Sequence, residues 1–367
     1  MHIRLSGRSY TFAVSLGAIF CLSSFLLVAI IEYYPPLPGG DDTQFWIYVA
    51  SGYRESTNLW ASVVSFFHVD TPNGFHALLF LLGTLKYLLN PILVVFLVQQ
   101  EFKLTKIKRY GKIGLAYALL YPTIYFIIGG LYRDPLICTL YLFIFLTLSK
   151  ERITSKSLSL IQLLYILVLG LSFTLLVSLR PQILSILIIS MLYFFPLVLL
   201  KRYFEPKILL FLFGISTLVA VSFIVTIYRV AFLSLITSYE GINEGSIFVS
   251  LINLPLLGGP LYLTANFFYS FLALNPSSPA YVLIFLLETL PALLALNVFY
   301  TYSDILLKNP AYLFLVSFIV ANILIVSLSS PNTGTSLRYR YPIFMATVPF
   351  ALMLVNRYNA RKDSLHV

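Results

Sequence analysis

The sequence predicts an all-α, polytopic integral membrane protein with about ten transmembrane helices, an interfacial helix in the first outer loop and a broken or re-entrant segment near 247–273. Three observations predict it. Of the 367 residues 59% are hydrophobic and 10% charged, with a mean hydropathy of +0.90. A soluble surface needs more charge than that, whereas lipid tails solvate apolar side chains. Apolar runs of about 18 or more residues recur along the whole chain. The basic residues fall in short clusters between those runs, as in the loops of membrane proteins.

The runs lie near 10–31, 76–98, 113–131, 135–149, 159–178, 182–200, 208–228, 281–301, 311–328 and 341–356. No small-residue cleavage site closes the first run, which therefore reads as a retained helix. Thr43 to Phe67 carries Phe45, Trp46, Tyr48, Tyr53, Trp60, Phe66 and Phe67 among polar residues. That mixture reads as a helix lying in the membrane interface. The stretch 247–273 is apolar but broken by Pro255, Gly258, Gly259 and Pro260. Non-helical backbone at membrane depth persists only where protein or a water-filled cavity satisfies it. The stretch is thus a candidate lining for an outward-facing cavity; two ordinary spans are the alternative. Residues 1–367 read as a single transmembrane domain, with loops 32–75 and 229–280 as the site-forming segments. No internal repeat is evident, which weakens a transporter built from inverted halves.

Most of the 24 Lys and Arg sit in one set of connections: Arg4 and Arg8; Lys103, Lys106, Lys108, Arg109 and Lys112; Lys150, Arg152 and Lys156; Lys201, Arg202 and Lys207; Lys308; Arg357, Arg361 and Lys362. The insertion bias makes this set cytoplasmic, with both termini inside. The other side holds Arg54, Arg133, Arg180, Arg229, Arg338 and Arg340. Every outer basic residue is therefore Arg, whose planar fork matches phosphate and carboxylate oxygens. An anionic ligand at the outer surface, such as a lipid-linked phosphate or pyrophosphate, fits that bias. Snorkelling, or pairing with a nearby acid, is the alternative for each Arg.

The formal charge of +10 does not indicate nucleic acid, since no basic stripe with interleaved aromatics is present. Cys21 and Cys138 lie inside apolar runs and form no metal or redox pattern. Four scattered histidines give no zinc-type cluster.

Four constellations carry chemistry. In the first, Pro35, Pro36, Pro38, Gly39 and Gly40 turn the chain and expose Asp41 and Asp42. A carboxylate there suits a general base for an alcohol nucleophile, or a ligand of a divalent cation. Asp42 as a helix cap is the alternative. In the second, His68, Asp70 and His76 follow the aromatic segment. In the third, Tyr132-Arg133-Asp134-Pro135 forms a short outer turn. Arg133 and Asp134 either pair with each other, or Arg133 binds phosphate while Asp134 orients it. In the fourth, Arg338 and Arg340 alternate with Tyr339 and Tyr341 at the start of the last helix, and Arg180-Pro181-Gln182 repeats the pattern in lesser form. An interfacial anchor belt is the alternative there.

Taken together, the acidic motif in the first outer loop, the interfacial helix, the many spans and the Arg-bearing start of the last helix resemble the GT-C superfamily of membrane glycosyltransferases. The Tyr-Arg-Asp-Pro and Leu-Arg-Pro-Gln turns also resemble bacterial oligosaccharide repeat-unit polymerases of the Wzy and exopolysaccharide groups. The chain departs from larger members in carrying no soluble outer domain and no long central outer loop with paired Arg motifs.

The resemblance implies an inverting glycosyltransferase in the bacterial cytoplasmic (inner) membrane, with its site facing the periplasm or exterior. Asp41 or Asp42 would act as base or position the acceptor. Arg133, Arg180, Arg338 and Arg340 would hold the lipid phosphate, with Asp134, Arg229, His68, His76 and Tyr339 as further binding residues. No cofactor is required by the pattern, a divalent cation being an optional ligand. The implied partners are a polyprenyl-linked saccharide donor and acceptor, the bilayer, and a chain-length regulator and flippase. A transferase of single sugars from a polyprenyl monophosphate, a transporter or flippase of lipid-linked saccharide, and a non-catalytic member of an assembly complex stay open. Only Lys86 and Glu288 fall inside the expected spans, whereas a transporter needs ionisable groups along a midplane path.

Overall fold

A computed structural model of the chain describes residues 46–47, 49–51, 59–100, 108–126, 131–150, 160–201, 261, 264–274, 279–329 and 333–365, with isolated positions between 203 and 219. Among these the regular structure is entirely helical. In chain order the helices are α1 (Leu59–Phe66), α2 (Pro72–Gln99), α3 (Arg109–Leu119), α4 (Pro122–Phe126), α5 (Asp134–Ser149), α6 (Leu160–Leu179) and α7 (Gln182–Leu200). After a π turn at Phe267–Phe271 come α8 (Pro279–Thr301), α9 (Ser303–Lys308), α10 (Pro310–Ser329) and α11 (Thr333–Leu365). By length and composition, α2, α7, α8 and α10 can each cross a membrane. The expected run 10–31 and most of 208–228 lie outside the described residues, as do Pro255, Gly258, Gly259 and Pro260 of the broken segment.

Local chemistry fixes the helix ends. Thr71 caps α2 by accepting from the Gly74 N–H at 3.3 Å, and Pro72 opens the helix where a missing N–H costs nothing. The turn before it needs His68 in the left-handed region, at φ 51°. It also needs Gly74, because a Cβ there would lie 1.9 Å from the Phe67 carbonyl oxygen. At the other end Gln100 adopts φ 58° and returns its N–H to Phe96.

Two long helices each contain one π turn, Leu85–Leu89 in α2 and Phe285–Thr289 in α8. The cause is legible: Pro91 and Pro291 follow two residues later. Each proline lacks an N–H and crowds the carbonyl four residues back, at Tyr87 and Leu287, and a widened turn relieves both. The single span expected over 113–131 is instead interrupted. Pro122 disfavours helical backbone at Tyr121, so α3 stops at Leu119 and α4 restarts at Pro122.

The chain groups into two compact units. Unit 1 comprises Met1–Leu184 and Met345–Val367. In it the second half of α2 packs on α3 and α5, and α5 on α6. Gly114 lets α3 approach closely, since a Cβ there would come within 3.1 Å of Val94 and Val98. Phe145 meets Phe350 edge-on at 5.7 Å. At one end Arg357 donates to Gln100 Oε1 at 3.3 Å and to the Ser149 carbonyl at 3.1 Å, while Gln100 donates to Ser149 Oγ at 2.8 Å. The ends of α2 and α5 therefore meet α11 there.

Unit 2 comprises Ser185–Phe344. Leu197 of α7 packs with Leu307 and Leu313, and Phe194 meets Phe314 edge-on at 6.1 Å. Asn266 donates its amide to the Ser327 carbonyl of α10. Along the unit 2 part of α7 an apolar stripe of Ile188, Met191, Leu192, Phe195 and Leu199 is exposed. A stripe of that size suits lipid rather than water.

Candidate functional site

The described residues present two buried charge pairs, one in each unit. The first is built where α5 begins and α6 ends. Pro135 sets the first turn of α5, which leaves Arg133 just before it and Asp134 as its first residue. Pro181 ends α6 after Leu179 and holds Arg180 at the break before α7. Asp134 is completely buried and Arg180 nearly so, and Arg180 Nη2 donates to Asp134 Oδ1. Arg133 is half-buried and donates from Nη1 to the Leu179 carbonyl at 2.7 Å. The third constellation and the Arg180-Pro181-Gln182 turn, the lesser form of the fourth, thus meet at one corner. The neighbouring helix end holds both residues: Asp134 accepts from Arg180, and Arg133 donates to the Leu179 carbonyl. Adjacent residues at a helix start point in different directions, so each finds its partner on the neighbouring helix end.

Trp60 of α1 bears on the same corner. Its indole N–H donates to the Leu131 carbonyl at 3.2 Å, and only 1% of its surface is exposed. Trp60 is a buried anchor on one face of this helix, because its N–H finds a carbonyl inside the protein. Phe66 in the same helix is exposed.

Lower in unit 1 the carboxamide of Asn90 is fully buried, one residue before Pro91. It donates to the Pro135 carbonyl at 3.3 Å and accepts from Thr139 Oγ1 at 2.8 Å. Lys86 of the π turn is buried, and its turn packs on α5.

The second pair lies in unit 2. Arg340 is fully buried with its guanidinium bonded on three sides. Nη2 donates to Glu288 Oε2 at 3.1 Å, and Nη1 donates to Thr289 Oγ1 at 3.0 Å and to the Phe271 carbonyl. Its plane lies 5.1 Å from the ring centre of Phe344. Thr289 in turn donates to the Leu272 carbonyl at 3.0 Å. The carbonyls of Phe271 and Leu272 are orphans at the end of a π turn, after which Ala273 turns left-handed at φ 56°. A cation at a helix C-terminus is favourable, so Arg340 and Thr289 together cap that end. Arg340 was expected among outer-face phosphate ligands; its terminal nitrogens are engaged inside the protein, and Glu288 at the π turn of α8 is its counter-ion. Arg338 and Tyr339 beside it are half-buried.

Of the remaining expected site residues, Asp41, Asp42 and Arg229 lie outside the described residues. His68 is the exposed turn residue before α2, and its carbonyl accepts from Thr71. His76 is half-buried on the first turn of α2, edge-on to Phe75 at 5.9 Å. Among the described residues no group of three His, Cys, Asp or Glu is arranged to hold a metal ion. Thr289, Asn90 and Thr139 were absent from the sequence reading. Asn90 had a signal, as a lone carboxamide beside a proline in an apolar run.

No family model matches the chain, and neither a curated protein nor a solved structure matches it.

Proposed function

We propose that the chain is a multi-pass enzyme of a bacterial cytoplasmic membrane that polymerises lipid-linked saccharide units on the outer face. In this reading it has about ten spans, both termini inside, and a re-entrant stretch within 247–273. The observation that carries the reading is the convergence of Arg133, Asp134 and Arg180 at one helix corner. The buried Asp134 fixes Arg180, and Arg133 stays half-exposed beside it. Two guanidinium forks held at one place suit a phosphate or pyrophosphate leaving group, on which negative charge builds as the sugar departs.

In the reaction, Asp41 or Asp42 takes the proton of the acceptor hydroxyl. Its oxygen attacks the anomeric carbon of the donor from the face opposite the lipid phosphate. The bond from that carbon to the phosphate oxygen breaks, and the electron pair leaves on the phosphate, which Arg133 and Arg180 stabilise. Arg keeps its proton throughout, so the stabilising charge is constant. In this account Arg340 positions the polypeptide around Glu288. A transferase of single sugars uses the same groups on a monophosphate donor.

The flippase reading draws support from a different observation: Lys86, Glu288 and Arg340 are charges buried within or against long apolar helices. One experiment separates the readings. A strain lacking its own copy is complemented with wild type, Asp41→Asn, Asp42→Asn or Arg133→Ala, and its surface glycan is displayed on a gel. The polymerase reading expects a full ladder from wild type and a single lipid-borne repeat from Arg133→Ala and from one of the Asp variants. An unchanged ladder in all three variants rejects it.

A further inference from the structure

We infer that Lys86, which no sequence motif marks, is a third cationic ligand of the phosphate site at the Arg133–Asp134–Arg180 corner; the inference rests on the phosphate reading of that corner. Helices α2 and α5 run in the same direction over their shared length. Asn90 of α2 is bonded to Pro135 and Thr139 in the first turns of α5, and Gln100 at the end of α2 is bonded to Ser149 at the end of α5. These two ties fix the register of one helix against the other.

From the Gln99–Ser149 end, Asp134 lies about 22 Å up its helix and Lys86 about 20 Å up its own, at 1.5 Å per residue. The π turn that holds Lys86 packs directly on α5. Arg133 and Arg180 are at the level of Asp134 by their hydrogen bonds. Lys86 is therefore brought to the level of both arginines, on the helix that α5 packs against. Lys86 lies within α2, a helix long and apolar enough to cross a membrane.

A lysine buried within such a helix is costly and marks function more often than structure. The chemistry divides sensibly. The planar forks of Arg133 and Arg180 suit two oxygens of one phosphoryl group, while the point charge of an ammonium suits a second phosphoryl group at any angle. The ligand class is therefore a pyrophosphate carried on a polyprenyl chain, recessed from the outer surface as a lipid headgroup would be drawn in.

The test uses the full-length protein purified in lipid nanodiscs. Binding of polyprenyl pyrophosphate, polyprenyl monophosphate and inorganic pyrophosphate is titrated for wild type, Lys86→Gln, Lys86→Arg and Arg133→Ala. The expected result is that Lys86→Gln weakens polyprenyl pyrophosphate about tenfold or more and the monophosphate little, while Lys86→Arg retains binding. Tighter binding of the lipid than of inorganic pyrophosphate identifies a headgroup as the ligand; equal binding overturns the lipid assignment. If Arg133→Ala loses the lipid and Lys86→Gln does not, the inference fails while the phosphate reading stands. If wild type binds none of the three, both fail. Hydrogen exchange on wild type needs no variant that folds. Added polyprenyl pyrophosphate should slow amides in 85–90 together with those in 131–137, and slowing confined to the second segment overturns the inference.

Discussion

At the scale of the residue, buried ion pairs govern what the chain tolerates. Asp134 has lost all contact with solvent, and Arg180 nearly all. Removing one member strands the other charge, which costs about 3–5 kcal/mol, whereas replacing both by apolar residues of similar size is nearly neutral. Arg180→Met should therefore lower the thermal midpoint of the purified protein sharply, and Asp134→Leu combined with Arg180→Met should recover most of it. Additive losses in the double variant would show that the pair is not coupled. The same unit makes a sharper demand at Gly74, where any Cβ collides with the Phe67 and His68 carbonyls. Gly74→Ala should cost more than about 1 kcal/mol in thermal unfolding, against the small gain that the exchange brings at a relaxed helical site. Arg340 bridges a carboxylate, a hydroxyl and a carbonyl with a planar fork. Lys carries a point charge on a flexible stem, so Arg340→Lys should retain less than half of the stability lost in Arg340→Met, read by the same melt.

At the scale of the element, much of the helix pattern was legible in the sequence. The run at 135–149 became α5 because Arg-Asp-Pro opens it and Ser-Lys closes it, and 182–200 became α7 because Arg180-Pro181 precedes it. The failures have physical causes. Hydropathy is blind to a proline inside an apolar run, so the break at Pro122 was read through. A π turn adds a residue without changing composition, so only Pro91 and Pro291 announced the two widened turns. The Asp134–Arg180 pair joins residues 46 apart, and nothing local encodes it. Both arginines and the acid were legible as candidates; their partnership was not. The contact of Trp60 with Leu131 was not legible either, because the two residues are 71 apart in the chain. The anchor role of the indole predicts that Trp60→Phe, which keeps an aromatic ring but removes the N–H donor, lowers stability by about 1 kcal/mol. Trp60→Ala should cost about 3–5 kcal/mol, and a denaturant or thermal series separates the two.

At the scale of the whole molecule, sidedness connects structure to function. The bonds among Arg357, Gln100 and Ser149 bring three basic connections to one end of unit 1, and the Arg133–Asp134–Arg180 corner belongs to the opposite end of α5. The sequence assigned those basic connections to the cytoplasm by the insertion bias. A fluorescent reporter fused after Val367 should accordingly be bright, and an alkaline phosphatase fused there inactive. The reverse pattern would invert the topology and place the arginine corner inside.

If the chain is an enzyme acting on lipid-linked saccharide at the outer face, its loss leaves the substrate on that face. In a strain lacking the chain, lipid-linked single repeats should accumulate in the outer leaflet, where an added glycosidase cleaves them in intact spheroplasts. Accumulation in the inner leaflet, protected until the membrane is opened, would contradict the enzyme and identify a transporter.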